Sequence, residues 1–275
     1  ALNVSKTTRA MQMIATSKLK KAQDTAVSSR PYVEKLTILS QTLANKLEEQ
    51  DLSDYMKEIK DVGSTLLLVF SPDKGLCGGL VTNLVREYLT IQKNENALFV
   101  SVGKKIEGTI ASTNKQLLAS FPFGSILPSF DMVYPLLDII NEKFLSGEVG
   151  EVKIVTTQFA SVFSQKVHVS HLLPVMLPEN EEKEQPHERL FEPSAEILLP
   201  AILKRYIEIE LYQHLLESFA SECAARMIAM QNATNNAKDI VNQFRLLYNK
   251  ARQERITNEI LDISSAAVTM EQDRI

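Results

Sequence analysis

The stretch Leu215-Leu216-Glu217-Ser218-Phe219-Ala220-Ser221-Glu222-Cys223-Ala224-Ala225-Arg226-Met227-Ile228-Ala229-Met230-Gln231-Asn232-Ala233 decides the fold of this 275-residue chain. It is rich in good helix formers and holds neither Gly nor Pro. Between Glu196 and Ile275 there is no Gly, and the single Pro, Pro200, lies at the start. Ala195 to about Ala267 therefore reads as one helix. At ~1.5 Å per residue it would run on the order of 100 Å, longer than a compact domain of this size is wide. Much of it must pack against something else. At the other end, Ser5 to Lys46 contains only Pro31 and no Gly, and residues 5–50 read as helix as well. Leu36, Leu39, Leu43 and Leu47 form one apolar stripe there, thinning upstream to Ala10, Met13, Ile14, Ser17 and Ala22. Two long terminal helices around a Gly- and Pro-containing middle imply a two-helix rod with a domain inserted between its strands.

The C-terminal seam carries the functional signal. Steps of three and four give Leu211, Leu215, Ser218, Glu222, Ala225, Ala229, Asn232, Asn236, Ile240, Phe244, Leu247, Ala251, Glu254, Asn258 and Leu261. A purely structural coiled coil places Leu, Ile or Val at most such positions. This seam is small or polar at more than half of them. Either these faces meet a partner, or the helix slides or turns against its surroundings. A merely imperfect intramolecular coiled coil is the plain alternative. Arg252, Gln253 and Arg255 near the end suit hydrogen bonding to another chain.

The middle changes period. Thr65-Leu66-Leu67-Leu68-Val69-Phe70, bounded by Gly63 and Pro72, reads as a buried strand. A glycine-containing loop and a helix-like segment to about Gln92 come next, then a strand over 97–102 ending at Gly103. Asp131 to Leu145 reads as helix, with Leu136, Leu137, Ile140 and Phe144 on one face. Residues 152–159 and 166–172 read as two more strands, with Ser164-Gln165 as the hairpin between them. Alternating strands and helices predict a small α/β layer domain. The boundaries expected are 1–60 for the N-terminal coiled-coil helix, 61–178 for the α/β domain, 179–194 for an acidic linker and 195–275 for the C-terminal coiled-coil helix.

Composition excludes several classes. Net charge is −4 and 23% of residues are charged, so nothing drives the whole chain toward nucleic acid. Residues 1–30 are basic, with Lys6, Arg9, Lys18, Lys20, Lys21 and Arg30 against Asp24. No aromatic residues interleave with them, and a solvated helix face is the plainer reading. Glu179, Glu181, Glu182, Glu184, Glu188 and Glu192 make the linker acidic and solvated. No run of residues is apolar enough to span a membrane and no secretory signal is evident. Cys77 and Cys223 stand far apart, without CxxC or zinc spacing, which suits a reducing compartment. The chain opens without Met in mid-helix pattern, so a preceding segment is expected.

Candidate chemistry is weak. Gly75, Gly78 and Gly79 lie between a strand and a helix, where phosphate loops occur. Gly-Leu-Cys-Gly-Gly is neither GxGxxG nor GxxxxGK[ST], and a tight turn explains it better. Cys77 as a nucleophile would need His168 or His171 as its base. Those two histidines are an odd number apart and face opposite sides of a strand. No acid, base and nucleophile converge, and no metal set is evident.

Four stretches resemble the gamma subunit of F-type ATP synthase, and the resemblance spans essentially the whole chain. They are Asn3-Val4-Ser5-Lys6-Thr7-Thr8-Arg9-Ala10-Met11-Gln12-Met13-Ile14-Ala15, Asp73-Lys74-Gly75-Leu76-Cys77-Gly78-Gly79, the stretch from Leu215 continued to Ala237, and Tyr248-Asn249-Lys250-Ala251-Arg252-Gln253 leading into 256–263. There are departures. Ala266-Ala267 replaces a usual Gly-Ala pair, about a dozen residues that normally precede Asn3 are missing, and Met270 to Ile275 extends past the usual end. The cysteine pair of redox-controlled chloroplast relatives is missing, so no thiol switch is expected. The pattern is closer to the bacterial branch.

The resemblance implies an α/β fold class: a long antiparallel coiled coil of the N- and C-terminal helices with an inserted Rossmann-like α/β domain. It implies a central rotor shaft that couples ion-driven rotation of the c-ring to ATP synthesis or hydrolysis in the alpha3beta3 ring. The expected partners are the alpha, beta and epsilon subunits and the c-ring. The chain would be peripheral to the membrane, on the cytoplasmic face of a bacterial plasma membrane. It would be non-catalytic, with no cofactor and no small-molecule substrate of its own. By motif match, Arg252 and Gln253 would reach the beta-subunit loop that grips the shaft. Lys6, Arg9, Met11 and Met13 would lie near the acidic beta lever, and Ile256, Thr257, Glu259 and Leu261 in the upper sleeve. The alternatives are a coiled-coil scaffold without a motor role, and a small-ligand binder using the Gly75–Gly79 loop.

Overall fold

The computed structural model describes residues 1–48, 52–59, 62–92, 96–177 and 191–272. Most of the acidic stretch read as a linker, including Glu182, lies outside them. The elements in order are α1 (Leu2–Ala44), β1 (Ser64–Phe70), α2 (Leu80–Ile91), β2 (Asn96–Val102), α3 (Lys104–Ser112), β3 (Leu117–Phe121), α4 (Val133–Leu145), β4 (Glu151–Ser161), β5 (Ser164–Leu173) and α5 (Ala195–Gln272). A single 3-10 turn, Phe130–Met132, precedes α4. The chain divides into two units, one formed by Ala1–Gln12 with Met230–Ile275 and the other by Met13–Ala229. The expected long helices at both termini and a central sheet are both present.

In the larger unit the sheet order is β3-β2-β1-β4-β5. β1 lies at its centre, parallel to β2 and β4; β3 is parallel to β2, and β5 closes the other edge antiparallel to β4. Parallel neighbours require crossovers, which α2, α3 and α4 supply. A strand covered on both faces must be apolar throughout, and residues 65–70 are all buried. Alternate side chains divide between two cores. Leu66, Leu68 and Phe70 join Val100, Ile154, Leu137, Ile140 and the α5 residues Leu203, Ile207, Leu211 and Leu215. Leu67 and Val69 join Phe99 and Val155 beneath Leu84, Tyr88, Ile106 and Ile110 of α2 and α3. Gly103, at φ +101°, marks the sharp entry into α3; a Cβ there would lie 1.8 Å from the Ser71 carbonyl oxygen.

The terminal helices pair antiparallel in this unit. Gln213 Nε2 donates to the Ser29 hydroxyl, and Arg205 Nε donates to the Tyr32 hydroxyl at 3.3 Å. As the α1 number rises, the α5 number falls. Arg205 also lies over the Phe130 ring at 4.6 Å and pairs with Glu208 at 2.8 Å. The Tyr212 ring meets Phe130 edge-on at 5.3 Å, so the 3-10 turn is clasped against α5.

The structure corrects the sequence at several places. The helix read over 5–50 ends at Ala44, where i→i+3 bonds at Lys46 and Leu47 tighten the chain and turn Leu47 onto the core. The hairpin turn is Val162-Phe163, because Ser164 already pairs with Ser161; Gln165 Nε2 ties the turn by donating to the carbonyls of Ser161 and Val162. α3 and β3 are additions to the expected elements: Gly108 interrupts the helical pattern of one, and the other is a five-residue edge strand. The apolar stripe read along early α1 is also turned. Ala15, Leu19 and Ala22 are buried, whereas Met13 and Ile14 are exposed.

Candidate interaction site

In the smaller unit, small and hydroxylic side chains make the contact between the helices. Ser5 of α1 and Met230, Thr234 and Ala237 of α5 are buried. The Thr8 and Thr234 hydroxyls share a hydrogen bond of 2.7 Å, and each can also donate to a carbonyl one turn back on its own helix. The seam expected from the sequence runs through Asn232 and Asn236, both exposed; the covered line is Met230, Thr234 and Ala237. The difference is one of phase. Steps averaging 3.5 residues drift around a helix of 3.6 per turn, and the polar composition leaves no strong anchor to correct the drift.

Beyond Ala237 the helix is bare. Every residue from Lys238 to Ile263 except Val241 is exposed. Ile240, Phe244, Leu246, Leu247, Tyr248, Ile256, Ile260 and Leu261 are among them, with Leu247 61% exposed. An open groove is lined by Ala1, Val241, Phe244, Arg245, Tyr248 and Asn249. Apolar side chains in that density on one helix exceed the scattered Leu of an ordinary surface.

All ten residues singled out as interface candidates lie on the two terminal helices. Lys6 and Arg9 share a face of α1 and are exposed, and Met11 is half-buried. Met13 falls in the larger unit and is 65% exposed. On α5, Arg252, Ile256 and Glu259 follow one face and Gln253, Thr257 and Leu261 another; all six are exposed. Glu259 accepts from Arg255 Nε at 2.9 Å, and Thr257 Oγ1 donates to the Gln253 carbonyl at 2.9 Å. The α1 and α5 candidates are thus not gathered into one pocket. They are spread along the surfaces of the two helices.

The glycine loop is organised differently from a phosphate cradle. A phosphate loop presents N–H groups to an anion. Here the carbonyls of Lys74 and Gly75 face the Arg226 guanidinium, at 3.1 Å and 3.2 Å from Nη2. Arg226 Nη1 donates to Glu222 Oε1 at 2.6 Å, and Glu222 is buried. Burial pushes the Glu222 carboxyl up and the Arg226 charge opposes that shift. The Asp73 carboxylate accepts from the backbone N–H of Lys104, Phe123 and Gly124, so it caps α3 and pins the turn after β3. The Lys18 ammonium of α1 donates to the Ser125 carbonyl close by.

The sequence does not by itself join the two halves of this network. Glu222 and Arg226, one turn apart amid alanines, are its available signal. Burial holds the Cys77 thiol above its ordinary range and the Cys223 thiol at about 12, so neither is an activated thiolate. His171 pairs with Glu151 at 3.2 Å, while His168 lies near His214, so the two strand histidines serve different neighbours.

A sequence model of the ATP synthase family matches residues 1–270. The ATP synthase gamma chain of Dehalococcoides mccartyi strain CBDB1 is 40% identical over 270 residues, covering 98% of this chain and 94% of that one. The gamma chain of Akkermansia muciniphila is 38% identical over 281 residues, at 98% and 95% coverage. Among solved structures, a central stalk/c-ring chain of the Tetrahymena thermophila mitochondrial ATP synthase aligns with a TM-score of 0.62 at 24% identity, covering 82% of this chain and 99% of that one. A chain of the Euglena gracilis mitochondrial enzyme aligns with a TM-score of 0.60 at 18% identity, covering 100% and 97%. These two likenesses speak to fold, and they agree with the central sheet between long terminal helices. With the match running through both helices and the sheet, this chain belongs to the ATP synthase gamma chain family.

Proposed function

We propose that this chain is the central rotor shaft of an F-type ATP synthase. It carries rotation of an ion-driven c-ring to the catalytic sites of an alpha3beta3 ring, for ATP synthesis or hydrolysis. The observation that carries this reading is the bare stretch of α5 from Lys238 to Ile263, apolar on several sides and uncovered by α1 among the described residues. A helix so exposed needs a sleeve of other chains. Coupling would come from differential contact: a shaft that meets each beta conformer differently shifts their populations as it turns.

The finer roles belong to the same reading. Arg252 and Gln253 contact the beta loop that grips the shaft. Lys6, Arg9, Met11 and Met13 meet the acidic beta lever, the two cations by charge complementarity. Ile256, Thr257, Glu259 and Leu261 pack in the upper sleeve. Residues 1–60 and 195–275 serve as the coiled coil, 61–178 as the domain that packs on the epsilon subunit and the c-ring, and 179–194 as the linker between them. The chain itself is non-catalytic, binds no cofactor and acts at the cytoplasmic face of a bacterial plasma membrane. No helix of the described residues is long and apolar enough to cross a membrane, so attachment would be through partners. The rival reading is a coiled-coil scaffold without a motor role.

The test is co-expression with matched alpha and beta subunits and native mass spectrometry of the purified complex. A three-to-three-to-one complex is expected. A chain that stays alone and folded would overturn the reading.

A further inference from the structure

In the larger unit α5 is held in two different ways. Leu199, Leu203, Ile207, Leu211 and Leu215 lay one line of the helix on the core at steps of four. Apolar burial is non-directional, so it holds a helix in place more strongly than it fixes the helix's angle about its own axis. Arg205, Glu208 and Tyr212, three and four residues apart, share a different face of α5. Their contacts are hydrogen bonds, an ion pair and ring contacts, all of which depend on angle.

That second face grips the connection between β3 and α4, whose regular structure is the single 3-10 turn Phe130–Met132. The Arg205 guanidinium stands 4.6 Å from the centre of the Phe130 ring and 6.0 Å from that of Tyr32 on α1. Its Nε donates to the Tyr32 hydroxyl, and its Nη1 donates to Glu208, a buried carboxylate. The Tyr212 hydroxyl donates to the Pro128 carbonyl at 3.3 Å, and the Phe130 ring also stands edge-on to Tyr134 of α4, at 5.8 Å. From α1, the Lys18 ammonium donates to the Ser125 carbonyl of the same connection. One guanidinium thus touches α1, α5 and the segment that leads from the sheet into α4.

We propose that Arg205 is a positioning residue that keys α5 to α1 and to the β3–α4 connection, so that twisting force passes between the rod helices and the sheet without the helix turning in its seat. A guanidinium is suited to this because it lies against a ring with its face while its edge donates to two oxygens. A lysine ammonium keeps the charge opposite Glu208 and loses both the planar contact and the fixed fork of donors. Gln213 Nε2, donating to the Ser29 hydroxyl, adds a second bond to α1 nearly one turn before Tyr32. The inference rests on the rotor reading, because a chain under torque needs its helices fixed in angle as well as in place.

The test uses the assembled complex, its alpha3beta3 ring immobilised and a marker attached through Ser146→Cys, at an exposed position just after α4. ATP is given to the otherwise wild-type complex first. A marker that stays still while ATP is hydrolysed sinks the rotor reading. Once rotation is seen, the rotor is stalled, and the angular fluctuation of the marker reads the stiffness between ring and sheet. The mean-square width is expected to rise about two-fold in Arg205→Lys. It should also rise in Tyr32→Phe, which removes only the accepting hydroxyl. The double variant should be little wider than Arg205→Lys alone, because both changes remove one bond. Leu211→Ala, a core truncation, should lower the unfolding midpoint more than Arg205→Lys does and yet widen the fluctuation less. Wild-type width in Arg205→Lys, or widths that simply follow the unfolding midpoints across the set, would overturn the proposal. Should Arg205→Lys fail to assemble, Tyr32→Phe decides, and a wild-type width there overturns it.

Discussion

His214 shows what burial does to one side chain. It lies on α5 in the larger unit, its Nδ1 is buried without a hydrogen-bond partner, and burial, with His168 nearby, holds its pKa down at about 4. In the unfolded chain it returns to about 6.5. The unfolded state therefore takes up a proton first as pH falls. The stability this neutral histidine contributes is whole above pH 6.5 and is lost progressively down to about pH 4. The loss amounts to about 3 kcal/mol. Glu210 and Glu222 work in the opposite sense, since burial raises their carboxyls and the folded state then gains relative stability as pH falls. The informative quantity is thus a difference: urea midpoints of wild type and His214→Leu, measured between pH 7.5 and 4.5. The gap between them should change with pH by most of that amount, and parallel curves would show that His214 is not buried neutral. The ion pair Arg255–Glu259, by contrast, is fully on the surface and contributes little.

At the scale of elements, α5 changes character along its length. Leu199, Leu203, Ile207, Leu211 and Leu215 are fully buried at steps of four in the larger unit, whereas Leu246 and Leu247 in the smaller unit are exposed. Leu211→Ala should cost about 2–5 kcal/mol of stability in the isolated chain. Leu247→Ala should stay within about 0.5 kcal/mol there yet weaken assembly with partner subunits; equal stability losses in thermal unfolding would contradict this division. The two terminal helices, the central strand and the hairpin strands are legible in the sequence because their signals are long or continuous: no Gly after residue 194, six residues of nearly unbroken apolar character at 65–70, and β-rich runs at 152–159 and 166–172. α3 and β3 are not, because nine and five residues leave too little pattern to outweigh Gly108 and an irregular edge pairing. The phase of the polar seam is not legible either. Alanine and asparagine recur on every side of that segment, and which side is covered depends on where Thr8 and Ser5 lie. Likewise the Glu222–Arg226 network requires two segments about 150 residues apart to meet, which no local pattern records.

For the whole molecule, the proposed shaft role places function in contacts with partner chains. Arg252→Ala and Gln253→Ala should then lower ATP-driven proton pumping several-fold, about 1–3 kcal/mol of coupling free energy, while leaving the isolated chain folded. Glu182→Ala, in the acidic stretch, should not; equal losses in vesicle pumping assays would sink the assignment of those two residues. The same logic separates shaft from scaffold, since a scaffold need only assemble and a shaft must turn. The most direct measurement is single-molecule rotation of the assembled alpha3beta3 complex, immobilised through the ring, with a marker on an engineered cysteine of this chain and with Cys77 and Cys223 left buried. A rotor shaft predicts unidirectional rotation of the marker that starts with ATP and pauses at three orientations. A complex that hydrolyses ATP while the marker stays still would contradict it.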